Sequence, residues 1–356
     1  MVIDREFVSE GYAAWLKAPA GKKNAWRVDD EYGGADALID EISSEIRSRT
    51  LSFKPFRRYE RQETGSRKQR KISIAEVKYQ VATYALKLAL SDMLHAKLGY
   101  YQCAGVEGKG QKLVRKAIRK WSREGGYHVK LDVRKCYENI ACGLVMSILR
   151  KLVASEDVLY LAESLLACFE FGALEIGTYM ALLMASLVLS YAYHFVESLH
   201  KVRRGKRKRL VLHQAWHLDD ALLVGSDKRD LKMAVRQLAR YMRDELGLEL
   251  KPWKVSKSVG SEMLDMGGFR AMRGVVTLRK RLFLSVMRAF SRFSKKRTLA
   301  LARRCCSYWG WLKHSCSGGF VRSNGVMGVL KAAKKLVSDD SKRKAETCNR
   351  LAAQHL

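Results

Sequence analysis

The chain has 356 residues, of which 47% are hydrophobic and 29% are charged. This balance predicts a folded protein with a sizeable core and excludes an intrinsically disordered chain. Lys and Arg number 67 against 36 Asp and Glu, so the formal net charge is +31. A field of this sign attracts polyanions and favours nucleic-acid binding, although a ribosome-associated or otherwise basic protein is an alternative.

The cysteines do not indicate a structural metal. The eight cysteines form no CxxC pair and no Cys/His cluster with zinc spacing. No apolar secretory segment follows the charged start of the chain. We therefore expect a reduced, cytoplasmic setting.

In the first part of the chain, hydrophobic periodicity and turn residues predict mostly helices. The order is one helix, a basic β-hairpin around a polar turn, two further helices and a short strand. Their expected bounds are 35–49 for the first helix, 53–59 and 70–74 for the hairpin strands, 63–67 for the turn, 75–99 and 109–122 for the next helices, and 127–132 for the strand.

The later part of the chain alternates between helices and short strands. An amphipathic helix is expected to end at Gly247, which suits a helix C-cap. The sequence favours helices over 143–154, 156–171, 176–196 and 230–246, a basic turn at 201–209, a strand over 210–216, a hairpin over 218–225 with two acids at its tip, strands over 248–250 and 275–278, and basic helices from 285 onward.

The apolar stretch over 176–196 is long enough to span a bilayer. Several hydroxyl-bearing side chains make it less apolar, and no second span accompanies it. We therefore favour a buried helix, and a membrane span is the alternative. Strands cluster between 127 and 280 without regular βαβ alternation, which predicts an α+β fold with an antiparallel sheet flanked by helices.

Three carboxylates suggest a site that binds two metal cations. Asp132 ends an apolar strand, and Asp219 and Asp220 lie at the tip of the predicted hairpin. Nucleotidyl transfer uses two cations about 3.5–4 Å apart, which activate the attacking oxygen and stabilise the leaving oxygen. A strand end beside a hairpin tip supplies carboxylates for both ions. An acid pair alone is weak evidence, and we interpret Asp29–Asp30 and Asp339–Asp340 as chance pairs.

Further motifs surround these acids in a fixed order. They are Lys130–Ile140, Trp216–Asp220, Leu246–Lys254, Met266–Phe269 and Ser307–His314. This order resembles motifs A, C, D and E and the thumb segment of bacterial reverse transcriptases, a group that includes group II intron, retron, diversity-generating and defence-associated enzymes. The resemblance runs from about residue 50 to 320. One departure lies two positions before the acid pair, where His217 replaces the Tyr of the family's usual Tyr-x-Asp-Asp.

The resemblance implies a right-hand polymerase, an α+β fold with fingers, a palm built on an antiparallel sheet and a helical thumb. It divides the chain into an N-terminal region with the fingers (1–126), a palm that includes part of the fingers helices (127–270), and a thumb with basic C-terminal helices (271–356).

The resemblance also implies roles for single residues. The residues implied to hold two Mg²⁺ ions, with Mn²⁺ as a substitute, are Asp132, Val133, Asp219 and Asp220. Lys254 is implied as the proton donor to pyrophosphate. Tyr137 matches the aromatic residue that excludes a ribose 2′-hydroxyl, so it implies deoxynucleotides. The residues implied to bind substrate are Arg70, Lys71, Val133, Tyr137 and Gly177, with the two cations on the incoming triphosphate.

Motif B departs from the family. Gly177 and Ala185 match its pattern, but Ala181 and Leu182 stand where the family has Ser-Gln. That Gln ordinarily lies near the template base, and a Leu side chain cannot make its hydrogen bonds. The substitution therefore puts ordinary template reading in question.

Several functions stay open under this resemblance. The altered motif B favours an RNA-directed DNA polymerase of antiphage defence that makes repetitive or weakly templated DNA with a partner RNA or subunit. The thumb segment favours a diversity-generating enzyme that copies a template RNA, and a mobile-element role is a further alternative. The retained acids disfavour an inactive RNA-binding scaffold. Expected partners are a template or structural non-coding RNA, a DNA product and dNTPs, with a second subunit or a homo-oligomer as alternatives and no membrane.

Overall fold

A computed structural model describes residues 2–62, 69–105, 108–257 and 262–354, with side chains described up to residue 343. The protein is a mixed α/β structure in which helices predominate, as the sequence predicted at this level. The chain forms two compact units. Unit 1 comprises Met1–Gly110 and Val129–Val255, and unit 2 comprises Gln111–His128 and Ser256–Leu356. The subdomain boundaries predicted at 126 and 270 stay predictions.

The helices and strands are numbered in chain order. The helices are α1 (Arg5–Lys17), α2 (Pro19–Asn24), α3 (Trp26–Tyr32), α4 (Ala35–Ser48), α5 (Val77–Ala89), α6 (Ser91–Lys97), α7 (Gln111–Trp121), α8 (Cys136–Asn139), α9 (Cys142–Leu152), α10 (Glu156–Leu166), α11 (Tyr179–Ser198), α12 (Lys228–Leu246), α13 (Lys280–Lys295), α14 (Leu299–Lys313), α15 (Gly318–Ser323) and α16 (Val326–Gln354). The strands are β1 (Arg57–Gln62), β2 (Gln69–Ile74), β3 (Tyr127–Asp132), β4 (His200–Arg203), β5 (Lys206–Arg209), β6 (His213–His217), β7 (Asp220–Gly225), β8 (Val255–Lys257), β9 (Leu264–Met266), β10 (Phe269–Met272) and β11 (Val275–Leu278).

Helix α11 forms the centre of the unit 1 core. It begins at Tyr179 because the Thr178 hydroxyl accepts a hydrogen bond from the Ala181 N–H at 3.2 Å. Among the described residues it is the one helix long and apolar enough to cross a membrane, yet 72% of its apolar window is buried inside the protein. Such burial favours the interpretation as a core helix, since a lipid-facing helix would expose its apolar side chains.

A four-stranded sheet with the order β6-β7-β3-β8 carries the candidate site. Strand β3 has the predicted bounds, and α12 ends at the predicted C-cap Gly247, which adopts a left-handed conformation. Strands β6 and β7 pair antiparallel, so the predicted hairpin over this region is confirmed. Strand β6 starts later than expected, at His213.

The predicted N-terminal hairpin is confirmed as β1 paired antiparallel with β2. Its first strand begins at Arg57 rather than residue 53, because Phe56 instead packs edge-on against Tyr79, with ring centroids 4.9 Å apart. The predicted polar turn lies outside the described residues. The single helix expected over 75–99 is two helices, α5 and α6, which meet at the buried residue Leu90.

Two smaller predictions of local structure were wrong. The basic run predicted as a turn over 201–209 forms the hairpin β4–β5. The strand expected over 248–250 does not form, and only Leu250 makes a bridge, to Val133.

Unit 2 combines a three-stranded sheet, ordered β11-β10-β9, with helices. Helix α7 packs on this sheet through its buried face, which consists of Val114, Ala117, Ile118 and Trp121. Trp311 on α14 packs against Phe269 on β10, with ring centroids 5.0 Å apart. Trp311, which lies in the segment Ser307–His314, therefore contributes to the packing of unit 2.

Candidate active site

Backbone hydrogen bonds bring the end of β3 beside the β6–β7 turn. The Val133 N–H donates to the Asp219 carbonyl at 3.0 Å, and the Lys251 N–H donates to the Asp132 carbonyl at 2.9 Å. The N–H of Arg134, which follows Val133, donates to the Glu249 carbonyl at 2.8 Å. Asp132 and Val133 are therefore fixed between the turn that carries the acid pair and the segment that follows α12.

The acid pair occupies two different positions in the hairpin. His217 pairs with Asp220, so Asp220 is the first residue of β7 while Leu218 and Asp219 form the turn. Leu218 has a φ of 54°, a left-handed conformation that is uncommon for a branched apolar residue. Backbone strain of this kind persists where the surrounding structure enforces it. The pairing of the two strands enforces it here.

The electrostatics of Asp219 indicate that the three carboxylates lie close together. Burial raises the pKa of Asp219 above its usual value, and the charges of Asp220 and Asp132 raise it further. The charge of Arg70 acts in the opposite direction. Asp219 is thus a partly buried acid that experiences two other carboxylates and one guanidinium.

Two lysines neutralise the other carboxylates. Lys251 Nζ lies 2.5 Å from Asp132 Oδ1, and Lys130 Nζ lies 3.2 Å from Asp220 Oδ2. Lys130 precedes Asp132 by two positions on β3, and this spacing places both side chains on one face of the strand. The sequence motif contained both lysines, but it did not indicate that they pair with these acids.

The role predicted for Lys254, proton donation to pyrophosphate, stays a prediction. Lys254 is exposed, and within the described part of the chain it has no hydrogen bond or ion pair. Lys251, three residues earlier, is the lysine of this segment that pairs with Asp132. Its placement follows from the bridge between Val133 and Leu250, a tertiary contact that sequence spacing does not reveal.

Tyr137 lies in the same neighbourhood. It is on the short helix α8, which follows a left-handed residue, Lys135, with a φ of 44°. Burial raises the pKa of Tyr137, with smaller contributions from Cys136 and Asp219, while Arg70 lowers it. Tyr137, Arg70 and Asp219 therefore lie close enough to interact electrostatically. Their roles in binding substrate stay predictions.

The two predicted triphosphate ligands have different surroundings. Arg70 interacts with Asp219 and Tyr137, as described above. Lys71 follows it on β2, and adjacent strand residues point to opposite faces. Lys71 Nζ pairs with Glu170 Oε2 at 3.0 Å and helps to line a cavity of about 300 Å³. Of the two cations, Arg70 is the one beside the acids.

Gly177 lies just before α11, at the point where the backbone of this segment packs against β2. Its φ is 121°, and a Cβ at this position would lie 2.3 Å from the Ser73 carbonyl oxygen. The neighbouring Ile176 carbonyl accepts a hydrogen bond from the Ser73 N–H at 2.8 Å. Gly177 therefore permits the close backbone approach that holds β2, and with it Arg70, in place.

Glu175 stabilises the same junction, and the sequence did not indicate it. Arg58 donates two hydrogen bonds to its carboxylate at 2.9 and 2.8 Å, and the Glu170 N–H donates a third at 2.6 Å. The Ser73 hydroxyl also donates to it. Burial alone raises the pKa of Glu175, but these hydrogen bonds outweigh it and hold the pKa below its usual value.

Glu175→Gln is expected to lower the free energy of unfolding by about 2–3 kcal/mol at neutral pH, because Arg58 would lose a charged partner while both remain mostly covered. Since the pKa of Glu175 is lowered on folding, its contribution is present above about pH 4.5 and is lost as the pH falls further. Urea unfolding at neutral and acidic pH measures both effects. Glu163→Gln, which removes a well-exposed pair with Arg150, is the control, with less than about 0.5 kcal/mol expected. Equal effects of the two substitutions would contradict the prediction.

The carboxylates have the donor chemistry that Mg²⁺ prefers. Asp132 Oδ1 is buried and has no hydrogen bond of good geometry, although Lys251 lies beside it. Within the described ranges, no group of three or more His, Cys, Asp or Glu side chains is arranged to hold a metal ion. Asp132, Asp219 and Asp220 match Mg²⁺ in ligand type, while Lys251 and Lys130 pair with Asp132 and Asp220 in this arrangement. Metal binding stays a prediction.

Motif B has the apolar character that its sequence predicted. Ala181 is buried, and Leu182 is half-buried, with its side chain over Gly105. Both residues lie in the first turn of α11. Leu182 thus presents methyl groups where the family's Gln would present an amide.

No family model matches the sequence, and no curated protein matches it. Among solved structures, the chain is similar to apo telomerase from Candida tropicalis truncated from the C-terminal domain, with a TM-score of 0.45 and 10% identity over 69% of this chain and 61% of that one. It is also similar to telomerase from Candida albicans in complex with a TWJ fragment of telomeric RNA, with a TM-score of 0.45 and 12% identity over 86% of this chain and 56% of that one. The chain thus spans less than two thirds of either telomerase. Likenesses this distant carry no argument about function, so the family implied by the motifs stays a prediction.

Proposed function

We propose that the protein is an RNA-directed DNA polymerase with a right-hand arrangement, in which Asp132, Asp219 and Asp220 hold two Mg²⁺ ions for nucleotidyl transfer. The observation that carries the proposal is the hydrogen bond from the Val133 N–H to the Asp219 carbonyl. This contact sets a strand-end acid beside a hairpin-turn acid pair, which is the arrangement that a two-metal site needs.

The protein's own residues have separate tasks in this proposal. Asp132 and the acid pair would hold the two metal ions, and Arg70 would bind the triphosphate through charge-assisted hydrogen bonds. Tyr137 closes the site against a 2′-hydroxyl and so selects deoxynucleotides. When bound, the metal ions lower the pKa of the attacking hydroxyl and stabilise charge on the leaving oxygen.

The apolar motif B supports weak templating. Leu182 offers no hydrogen bond to a template base, so base selection depends on fit and stacking alone. We therefore propose that the enzyme makes repetitive or weakly templated DNA in antiphage defence, with a partner RNA or subunit. A diversity-generating enzyme that copies a template RNA is the second candidate, favoured by the aromatic segment around Trp311.

Incorporation of labelled dNTPs with Mg²⁺, followed by sequencing of the DNA that co-purifies with the protein, tests these proposals. Repetitive DNA supports the defence role, whereas DNA that matches a protein-coding repeat overturns it in favour of diversity generation. Bound RNA without any incorporation would instead indicate an inactive scaffold. Omission of dNTPs and substitution of NTPs are the controls.

Lys251→Met is expected to tighten Mn²⁺ binding about 3- to 10-fold, because the ammonium competes with a cation for Asp132. Both groups are partly exposed, so their attraction is modest, on the order of 1 kcal/mol. The affinity is measured without turnover by titrating the apoprotein with Mn²⁺ and recording the electron paramagnetic resonance signal of the free ion. Lys254→Met, which removes an exposed lysine of the same segment, is the matched control and should leave the affinity unchanged. Weaker binding in the Lys251 variant would contradict the prediction.

A further inference from the structure

Hairpin β4–β5, residues 200–209, concentrates positive charge on an exposed ribbon. Its ten residues include seven Lys or Arg, and all of them except Lys201 are exposed. Arg204 and Gly205 form the turn with φ values of 51° and 72°. Two consecutive left-handed residues are typical of the tight two-residue turn that fixes the register of a hairpin. The charges are therefore held in an ordered arrangement.

The register places like charges directly opposite one another. Lys201 pairs with Lys208, and Arg203 pairs with Lys206. Like charges in such cross-strand positions repel and destabilise a two-stranded ribbon. An isolated hairpin is also only marginally stable by itself. The hairpin thus forms in spite of its own charges.

A buried acid anchors only the base of the hairpin. Asp230, which is 5% exposed in the first turn of α12, forms an ion pair with Lys201 and lies 3.6 Å from Lys208 Nζ. Four of the remaining cations lie between this anchor and the tip of the hairpin, and Arg209 lies on the other side of the anchor, opposite His200. Within the described residues, no acidic side chain pairs with the four that we call the free cations: Arg203, Arg204, Lys206 and Arg209.

We propose that hairpin β4–β5 binds the phosphate backbone of a double-stranded segment of RNA. Phosphates placed across the ribbon would relieve the repulsion between facing cations, and release of their counterions would drive binding. The segment contains no Phe, Tyr or Trp on which unpaired bases would stack, which favours a duplex over a single strand. The choice of RNA over DNA rests on the proposed function.

The duplex bound here is separate from the primer terminus. The hairpin precedes β6 at the end opposite the turn that carries Asp219, and the five residues of β6, His213–His217, lie between them. At about 3.3 Å per residue, these five residues extend roughly 15 Å along the strand. The site therefore suits a structured region of a partner RNA, held on unit 1 while its other parts remain free.

The test compares two variants with equal loss of charge. In the hairpin variant, the four free cations become Gln; in the control, Lys228, Lys232, Arg236 and Arg240, which are exposed on α12 of the same unit, become Gln. Fluorescence anisotropy with a labelled blunt RNA duplex, without Mg²⁺ or dNTPs, gives the affinity over a range of salt concentrations. Circular dichroism confirms that both variants are folded.

The hairpin variant is expected to bind the duplex about 10- to 100-fold more weakly near 0.1 M salt, and the slope of log affinity against log salt should fall by about 3 to 4. The control should stay within about 3-fold of the parent protein. Equal losses in both variants, or no loss in the hairpin variant, would overturn the proposal. The proposal would also be overturned if the hairpin substitutions weakened binding of single-stranded RNA, duplex DNA or polyglutamate as much as, or more than, binding of the RNA duplex. Because no turnover is measured, failure of the polymerase proposal would leave this result intact.

Discussion

Asp219→Asn is expected to reduce dNTP incorporation by about 1,000-fold or more, while the protein stays folded. The side chain keeps its shape, but the carboxylate that the proposal assigns to metal binding becomes a neutral amide. A loss of several kcal/mol in the stabilisation of charge corresponds to this factor, since each 1.4 kcal/mol is tenfold in rate. Primer extension with purified protein, measured as an initial rate, gives the number.

The control for this substitution is Asp30→Asn. Asp30 is exposed on α3 and belongs to an acid pair that the sequence interprets as chance. It should leave the rate within about twofold of the parent rate, as surface substitutions usually do. Full activity of the Asp219 variant would mean that the metal site is wrongly assigned. Loss of activity in both variants would mean that the loss comes from removing one negative charge from the protein and not from removing a metal ligand.

Gly177→Ala is expected to lower the free energy of unfolding by about 2–4 kcal/mol. A φ of 121° is strained for any residue with a Cβ, and the new methyl would lie 2.3 Å from the Ser73 carbonyl oxygen. The backbone must shift, because the clashing atom belongs to β2 and not to a flexible side chain. Urea unfolding followed by fluorescence measures the loss.

Gly143→Ala is the matched control. Gly143 lies in helix α9, and a Cβ there would meet open space. The alanine should be neutral or stabilising by up to about 1 kcal/mol, because it reduces the entropy of the unfolded chain. If Gly177→Ala changed the free energy of unfolding as little as Gly143→Ala, the close approach of β2 to Ile176 would not require glycine at this position. A loss of triphosphate affinity in the Gly177 variant would further connect this junction to Arg70.

The elements that sequence reasoning predicted best are those with local signals. Strand β3 has a short apolar run that ends in Asp132, and α12 has an apolar face with a Gly C-cap. Both signals come from residues within the element. The three acids were predicted from local signals and from the order of the surrounding motifs. Asp132 ends β3, Asp219 lies in the β6–β7 turn and Asp220 begins β7.

The parts that sequence reasoning missed depend on tertiary contacts. The basic run over 201–209 looked like a solvated turn, because uniform charge hides the alternation of a strand, and its anchor is a distant Asp230. The pairing of Lys251 with Asp132 was not predicted, because it depends on the bridge between Val133 and Leu250. Glu175 is paired with Arg58, more than a hundred positions away.

The position of helix α7 in the sequence affects how the chain folds during synthesis on the ribosome. Its apolar face, which includes Trp121, packs on β9–β11, yet the ribosome produces Val129–Val255 between the helix and those strands. At roughly 5–20 residues per second, this delay is on the order of 6 to 25 seconds. During that time the nascent helix has no sheet to cover it. We therefore expect the half-made chain to be the form most prone to aggregation and most in need of a chaperone.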